Sequence, residues 1–146
     1  MADDTSRSGA AADDVRRLLT DTGTWAVVGW SPRPDRASHG VARFLRDRGK
    51  RVLPVNPTCV GTDAGLDAPV VASLADIDEP IDMVDVFRRP EYCAAHAREA
   101  VAAGAGSLWL QLGISSPEAR EIAEDAGLDY VEDACTAALH ARYLRA

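Results

Sequence analysis

A chain of 146 residues that is 47% hydrophobic is long enough for one domain with a real core. Its formal charge of −7 argues against non-specific nucleic-acid binding, and the lack of any apolar run of about 18 residues argues against a membrane span. Cys59, Cys93 and Cys135 are widely spaced and form no CxxC pair, which suits a reducing cytoplasm better than a disulfide framework.

Met1 to Ala12 is small and polar, without an apolar h-region, and reads as a disordered tail rather than a signal peptide. A single domain is expected over 13–146. In Asp13 to Leu19, the spacing of Val15, Leu18 and Leu19 predicts a short amphipathic helix, with acidic residues at its favourable end. Gly23 ends it.

Trp25-Ala26-Val27-Val28 is a short apolar run bounded by turn residues, the pattern of a strand buried on both faces. Gly29 allows a sharp turn and close approach of a ligand to the backbone. A polar loop leads to a helix near Ser38, whose hydroxyl can cap it. Free N–H groups and a positive dipole end would then face the loop, a combination that binds phosphate. An ordinary strand-to-helix connection has the same local pattern.

Val41, Phe44 and Leu45 give this helix its apolar face, and Gly49 stops it. Arg51 to Val55 is the second strand, although Pro54 is awkward for a central position. Asn56-Pro57 ends it. Thr58 to Asp67 is a loop, Ala68 to Val71 a short edge strand, and Ser73 to Ile77 a helical turn. Asp82 to Phe87 is a strand, followed by a helix from Pro90 to about Ala103. Ser107 to Leu112 is the next strand. Ser116 and Pro117 start a helix that ends at Gly127. Leu128 to Val131 is a last strand and Thr136 to Leu144 a closing helix. Strands alternating with helices indicate βαβ units: an α/β, doubly wound parallel sheet with helices on both faces.

Ligands of open α/β sheets bind at the carboxyl ends of the strands. Those ends are Gly29 to Arg36, Asn56-Pro57, Phe87-Arg88-Arg89, Gln111 to Ile114, and Glu132-Asp133. Arg33, Arg36, Arg88 and Arg89 would gather on one edge, making it locally cationic on an acidic chain. Clustered guanidinium groups can grip phosphates bidentately, although each could equally be solvated surface charge. Lys50 and Arg51 lie at the opposite end. A dinucleotide site would show GxGxxG and an acid closing the second strand. Ser31 and Asn56 occupy those positions, which weakens an NAD reading; Asn56 can still hydrogen-bond a ribose or adenine, or serve as a turn residue.

The loop GWSPRPDRASHGVARFL, the segments VLPVNP, DMVDVFRRPE and SLWLQLGI, and the ending EDACTAALHARYL together resemble the stand-alone CoA-binding domain family. That family is similar to the nucleotide-binding half of the succinyl-CoA synthetase α subunit. The resemblance spans Trp25 to Leu144. It implies a single Rossmann-like sheet holding coenzyme A or an acyl-CoA. The pyrophosphate would lie on Gly29, Ser31, Arg36 and Ser38, and the adenosine near Asn56 and Pro57. Phe87, Arg88, Gln111 and Gly113 would complete the site, with Trp30, His39, Arg89 and Ile114 beside them. Where the family often has a proline after the cysteine and a glutamate three residues on, this chain has Thr136 and Leu139.

Catalytic signals are sparse. His96 reads as surface, while His39 is placed either to donate to the ligand or to pack. Cys135 and His140 are five apart, off the helical repeat, so a nucleophile pair is disfavoured against a cysteine acting as a small hydrophobe. Asp82 and Asp85 form no evident acid–base pair. Trp25 and Trp109 suit core or pocket wall, and Trp30 suits either core or a base-stacking surface. GxSxG, Walker and HExxH motifs are absent. The synthetases resembled here need a second domain and an ATP-grasp partner that the sequence does not supply. The reading is therefore a non-catalytic, cytoplasmic coenzyme A-binding module, with a protein partner or homo-oligomer possible. Alternatives are an NAD(P)-dependent oxidoreductase, a CoA-binding subunit of an acyl-CoA ligase, and an interaction domain with a vestigial pocket.

Overall fold

The computed structural model describes residues 12–144. The tail expected over 1–12 lies outside the described residues except for Ala12, which opens helix α1 (Ala12–Asp21). Five short strands follow in the expected places: β1 (Thr24–Val28), β2 (Arg51–Val55), β3 (Met83–Val86), β4 (Ser107–Leu110) and β5 (Asp129–Val131). The helices between and after them are α2 (Ala37–Asp47), α3 (Pro90–Ala102), α4 (Pro117–Asp125) and α5 (Thr136–Tyr143). All strand pairs are parallel, in the order β2-β1-β3-β4-β5. The chain leaves β1 toward β2 on one side and returns to β3 on the other. The ends of β1 and β3 therefore form the topological switch point, where such sheets open a crevice.

Each sheet face carries its own core. On one face Val84, Val86, Leu108 and Leu110 meet Cys93, Ala97 and Ala100 of α3 and Ala119 and Ala123 of α4. The small helical side chains allow these helices to lie close to the sheet. On the other face Trp25, Met83 and Trp109 meet Leu18 and Leu19 of α1 and Val41 and Leu45 of α2. Trp25 and Trp109 pack with ring centroids 5.9 Å apart. Their indole N–H groups donate to Thr22 Oγ1 at 2.9 Å and the Ala134 carbonyl at 2.8 Å. Truncating a tryptophan buried in this way costs roughly 3–5 kcal/mol.

Sheet order explains Pro54. β2 is an edge strand, and Pro54 directs its polar side outward, where its carbonyl accepts from Val71 N at 3.1 Å. The edge strand expected over Ala68 to Val71 is reduced to this one bridge, Val55 to Val71. β4 also ends earlier than expected, at Leu110: Gln111 turns inward, and Leu112 is 70% exposed. Ser116 caps α4 as expected, accepting from Ala119 N at 3.1 Å.

Candidate functional site

At the end of β1, Gly29 adopts φ +88°. Its N–H and that of Trp30 both donate to the Val55 carbonyl, which ties the first loop to the end of β2. Phe87 N donates to the Val28 carbonyl at 2.9 Å, tying the same turn to β3. The loop is thus held from both sides at the switch point.

Two cavities of about 490 Å³ each open at this edge and share Gly29, Arg36 and Phe87. One lies toward β2 and is walled by Ser31, Asn56, Pro57, Arg88 and Arg89, together with Tyr92. The other lies toward β4 and α5 and is walled by Ser38, Gln111 and Ile114, together with Val41, Leu112 and Cys135. The strand-end reading therefore gathers most of its residues into one continuous cleft. Arg36, Arg88 and Arg89 supply its positive charge. Arg33 lines neither cavity and pairs instead with Asp35 at 3.3 Å. The Arg88 guanidinium lies 4.5 Å over the Tyr92 ring, which fixes its direction, while Arg89 reaches Glu91 at 3.8 Å.

Several side chains take places the sequence reading did not give them. Ser38 does not cap α2. Arg36 is the N-cap residue, without a side-chain bond, and Ser38 sits inside the first turn, 4% exposed, at the cavity wall. Trp30 is buried in the core at 1% exposure and lines neither cavity, so a base cannot stack on it there. His39 also lies off the cleft. Its ring stacks 6.1 Å from that of Trp30, and Nδ1 pairs with the Ser31 carbonyl at 3.0 Å, a packing role that braces the loop. Gly113 lines neither cavity; its N–H donates to Asp133 Oδ1 at 2.7 Å. Asn56 lines the cleft, but its amide is engaged: Nδ2 donates to the Trp30 carbonyl at 2.7 Å, and Oδ1 accepts from Thr58 N and Oγ1. Its remaining Nδ2 hydrogen is the group available to a ligand.

Gln111 contributes wall but not a free amide. Nε2 donates to Asp85 Oδ1 at 2.5 Å and to Thr136 Oγ1, while Oε1 accepts from Thr136 N at 3.3 Å. The sequence marked no site role for Val41, Thr58, Cys59, Tyr92 or Cys135, and it reached Leu112 only as part of the strand-end segment Gln111 to Ile114. Tyr92 lies four residues after Arg88, within reach of a helical turn. Cys135 lies two residues beyond the carboxyl-end segment Glu132-Asp133. The pairing of Cys135 with His140 does not form: His140 packs edge-on against Phe44 at 5.2 Å, and burial lowers its pKa. His96 is half-buried and meets Glu99 at 2.8 Å. Asp82 accepts from Gly23 N and Thr24 N, tying the start of β1 to that of β3.

Parallel strand order and a switch-point crevice define a Rossmann-like α/β domain. The model of the family described as "CoA binding domain" matches residues 23–141, and the chain belongs to that family. It is similar to the Bacillus subtilis (strain 168) protein YneT, named as uncharacterized, with 38% identity over 88% of this chain and 93% of that one. A solved structure from Thermus thermophilus is 40% identical, with TM-score 0.86, covering 92% of this chain and 99% of its own. A hypothetical protein from Pyrococcus horikoshii is 33% identical, with TM-score 0.87, covering 93% and 94%. Among the described residues no helix is long and apolar enough to cross a membrane, and no group of three or more His, Cys, Asp or Glu is placed to hold a metal ion.

Proposed function

We propose that this protein binds coenzyme A across the two joined cavities as a binding module. One observation carries the reading: the junction of the cavities, at Gly29 and Arg36, is where the cationic loop meets the switch point. A pyrophosphate fits that junction, because Arg36 and Arg88 offer charge-assisted bonds there. The adenosine end lies toward Asn56 and Pro57. The thiol-bearing arm lies toward Ile114 and Cys135, between the apolar walls Val41 and Phe87. The imidazoles of His39 and His96 are already bonded, and that of His140 packs on Phe44, which supports holding a ligand rather than transforming it.

Thermal shift tests this directly. Coenzyme A is expected to raise the melting temperature more than NAD or ATP at equal concentration, by mass action on the native state. An equal or larger shift with NAD would instead favour the oxidoreductase alternative.

A further inference from the structure

Directly beneath the cleft lies a polar cluster that the ligand contacts do not use. Asp85 sits in the middle of β3, fully buried, with Val27 of β1 and Trp109 of β4 as its strand neighbours. Its Oδ1 accepts from Gln111 Nε2, and its Oδ2 accepts from Thr136 Oγ1 at 3.3 Å. These three residues touch the cleft wall from three segments. Phe87 follows Asp85 by two residues, Gln111 is itself wall, and Cys135 precedes Thr136. The cluster therefore joins the end of β3, the end of β4 and the start of α5.

We propose that Asp85 is a proton-linked positioning residue: it seats Gln111 and the start of α5 as cleft wall, and it takes up a proton when a polyanionic ligand binds above it. The inference rests on the coenzyme A reading. Its physical basis is that a buried carboxylate is poorly screened, so it repels an anion bound nearby, whereas the neutral acid does not. By linkage, anything that prefers the neutral form draws a proton from the buffer onto Asp85. Three donor hydrogens, two on Gln111 Nε2 and one on Thr136 Oγ1, can satisfy the ionised cluster, so the charged form keeps its geometry.

Other charges do not compensate it. The ionisable groups on the elements covering this face are Asp14, Arg16, Arg17 and Asp21 on α1 and His39, Arg43, Arg46 and Asp47 on α2. Asp133 and Cys135 precede α5, and His140, Arg142 and Tyr143 lie on it. Burial is the largest influence on Asp85, opposed by the Gln111 and Thr136 hydrogen bonds, and it brings the carboxyl to about 7. The titration thus falls where the ligand can shift it.

The test is calorimetry of coenzyme A binding to the full chain at pH 6, 7 and 8, in two buffers of different ionisation enthalpy. Wild type is compared with Asp85→Asn. Titration of the ligand's own phosphate is common to both proteins and cancels in the comparison. Wild type is expected to take up more protons near pH 7 than the variant. Its affinity is also expected to weaken by about three- to tenfold more between pH 6 and pH 8. Equal proton uptake by the two folded proteins would overturn the inference while leaving coenzyme A binding intact. Wild type failing to bind coenzyme A at every pH would overturn both. If Asp85→Asn does not fold, Thr136→Val serves instead. Losing one donor to the carboxylate should move the maximum of proton uptake to higher pH, and an unmoved maximum would overturn the inference.

Discussion

A Cβ placed on Gly29 would lie 2.8 Å from the carbonyl oxygen of Phe87 and 3.2 Å from its carbonyl carbon. The constraint on this glycine is therefore the backbone of the neighbouring strand end, together with its positive φ. From the sequence, Gly29 is explained by a sharp turn and by the close approach of a ligand to the backbone. The structure adds a contact within the fold that exists before any ligand arrives. Gly29→Val is expected to destabilise the protein by on the order of 3 kcal/mol, from left-handed strain plus overpacking against Phe87. Urea unfolding checks this. A variant of unchanged stability that still binds coenzyme A would show that the turn tolerates a side chain.

Arg88 is held over Tyr92 and forms no ion pair among the described residues, so its charge is available to the cleft. Arg88→Ala should weaken coenzyme A binding by about 1.5–3 kcal/mol, the scale of a charge-assisted hydrogen bond. The loss of stability should stay below about 1 kcal/mol, since what goes is a partly exposed cation–π contact. Titration calorimetry and a melting curve on the same sample separate the two effects. An unchanged dissociation constant would make Arg88 surface charge.

Lys50 supplies the contrast at the opposite end of the sheet. Its ammonium donates to the carbonyls of Leu19 and Thr22, each at 2.6 Å, and so closes the end of α1. Lys50→Ala should cost about 1–3 kcal/mol of stability by leaving those carbonyls without their charged donor. The stabilisation that coenzyme A confers should be the same as in wild type. A variant that folds normally but loses ligand would contradict the assignment of the cleft to the other edge.

Asp85 should also leave a mark on stability without ligand. Burial raises its folded pKa from 3.8 to about 7. Between those values the native state holds a proton that the unfolded chain has released, so stability falls as pH rises through this window and levels off above it. A shift of about 3 units corresponds to on the order of 4 kcal/mol. The stability difference between Asp85→Asn and wild type should therefore move by that order in favour of the variant from pH 4 to pH 8. Denaturant unfolding at fixed pH values measures it. A difference that stays flat with pH would show that Asp85 titrates like an exposed acid.

Local chemistry determined much of this molecule. The limits of β2 at Arg51 and Val55, the turn at Gly29, the proline starts of α3 and α4 and the cap at Ser116 follow from backbone preferences carried by single residues. Alternation of apolar strands and helices was enough to give a parallel sheet, and the carboxyl-end rule then marked the edge where the cleft lies. What the tertiary structure alone decided is direction. A strand buried on both faces has no polar alternation to show which way its last residues point. Trp30 accordingly turned into the core, Gln111 turned toward Asp85, and Leu112 turned out to solvent. Pro54 became tolerable only once sheet order put β2 at the edge. Cys135 reached the cleft because Thr136, at the start of α5, is bonded to Asp85 and Gln111, partners 51 and 25 residues away along the chain. No local preference records contacts of that range; packing α5 onto the sheet creates them.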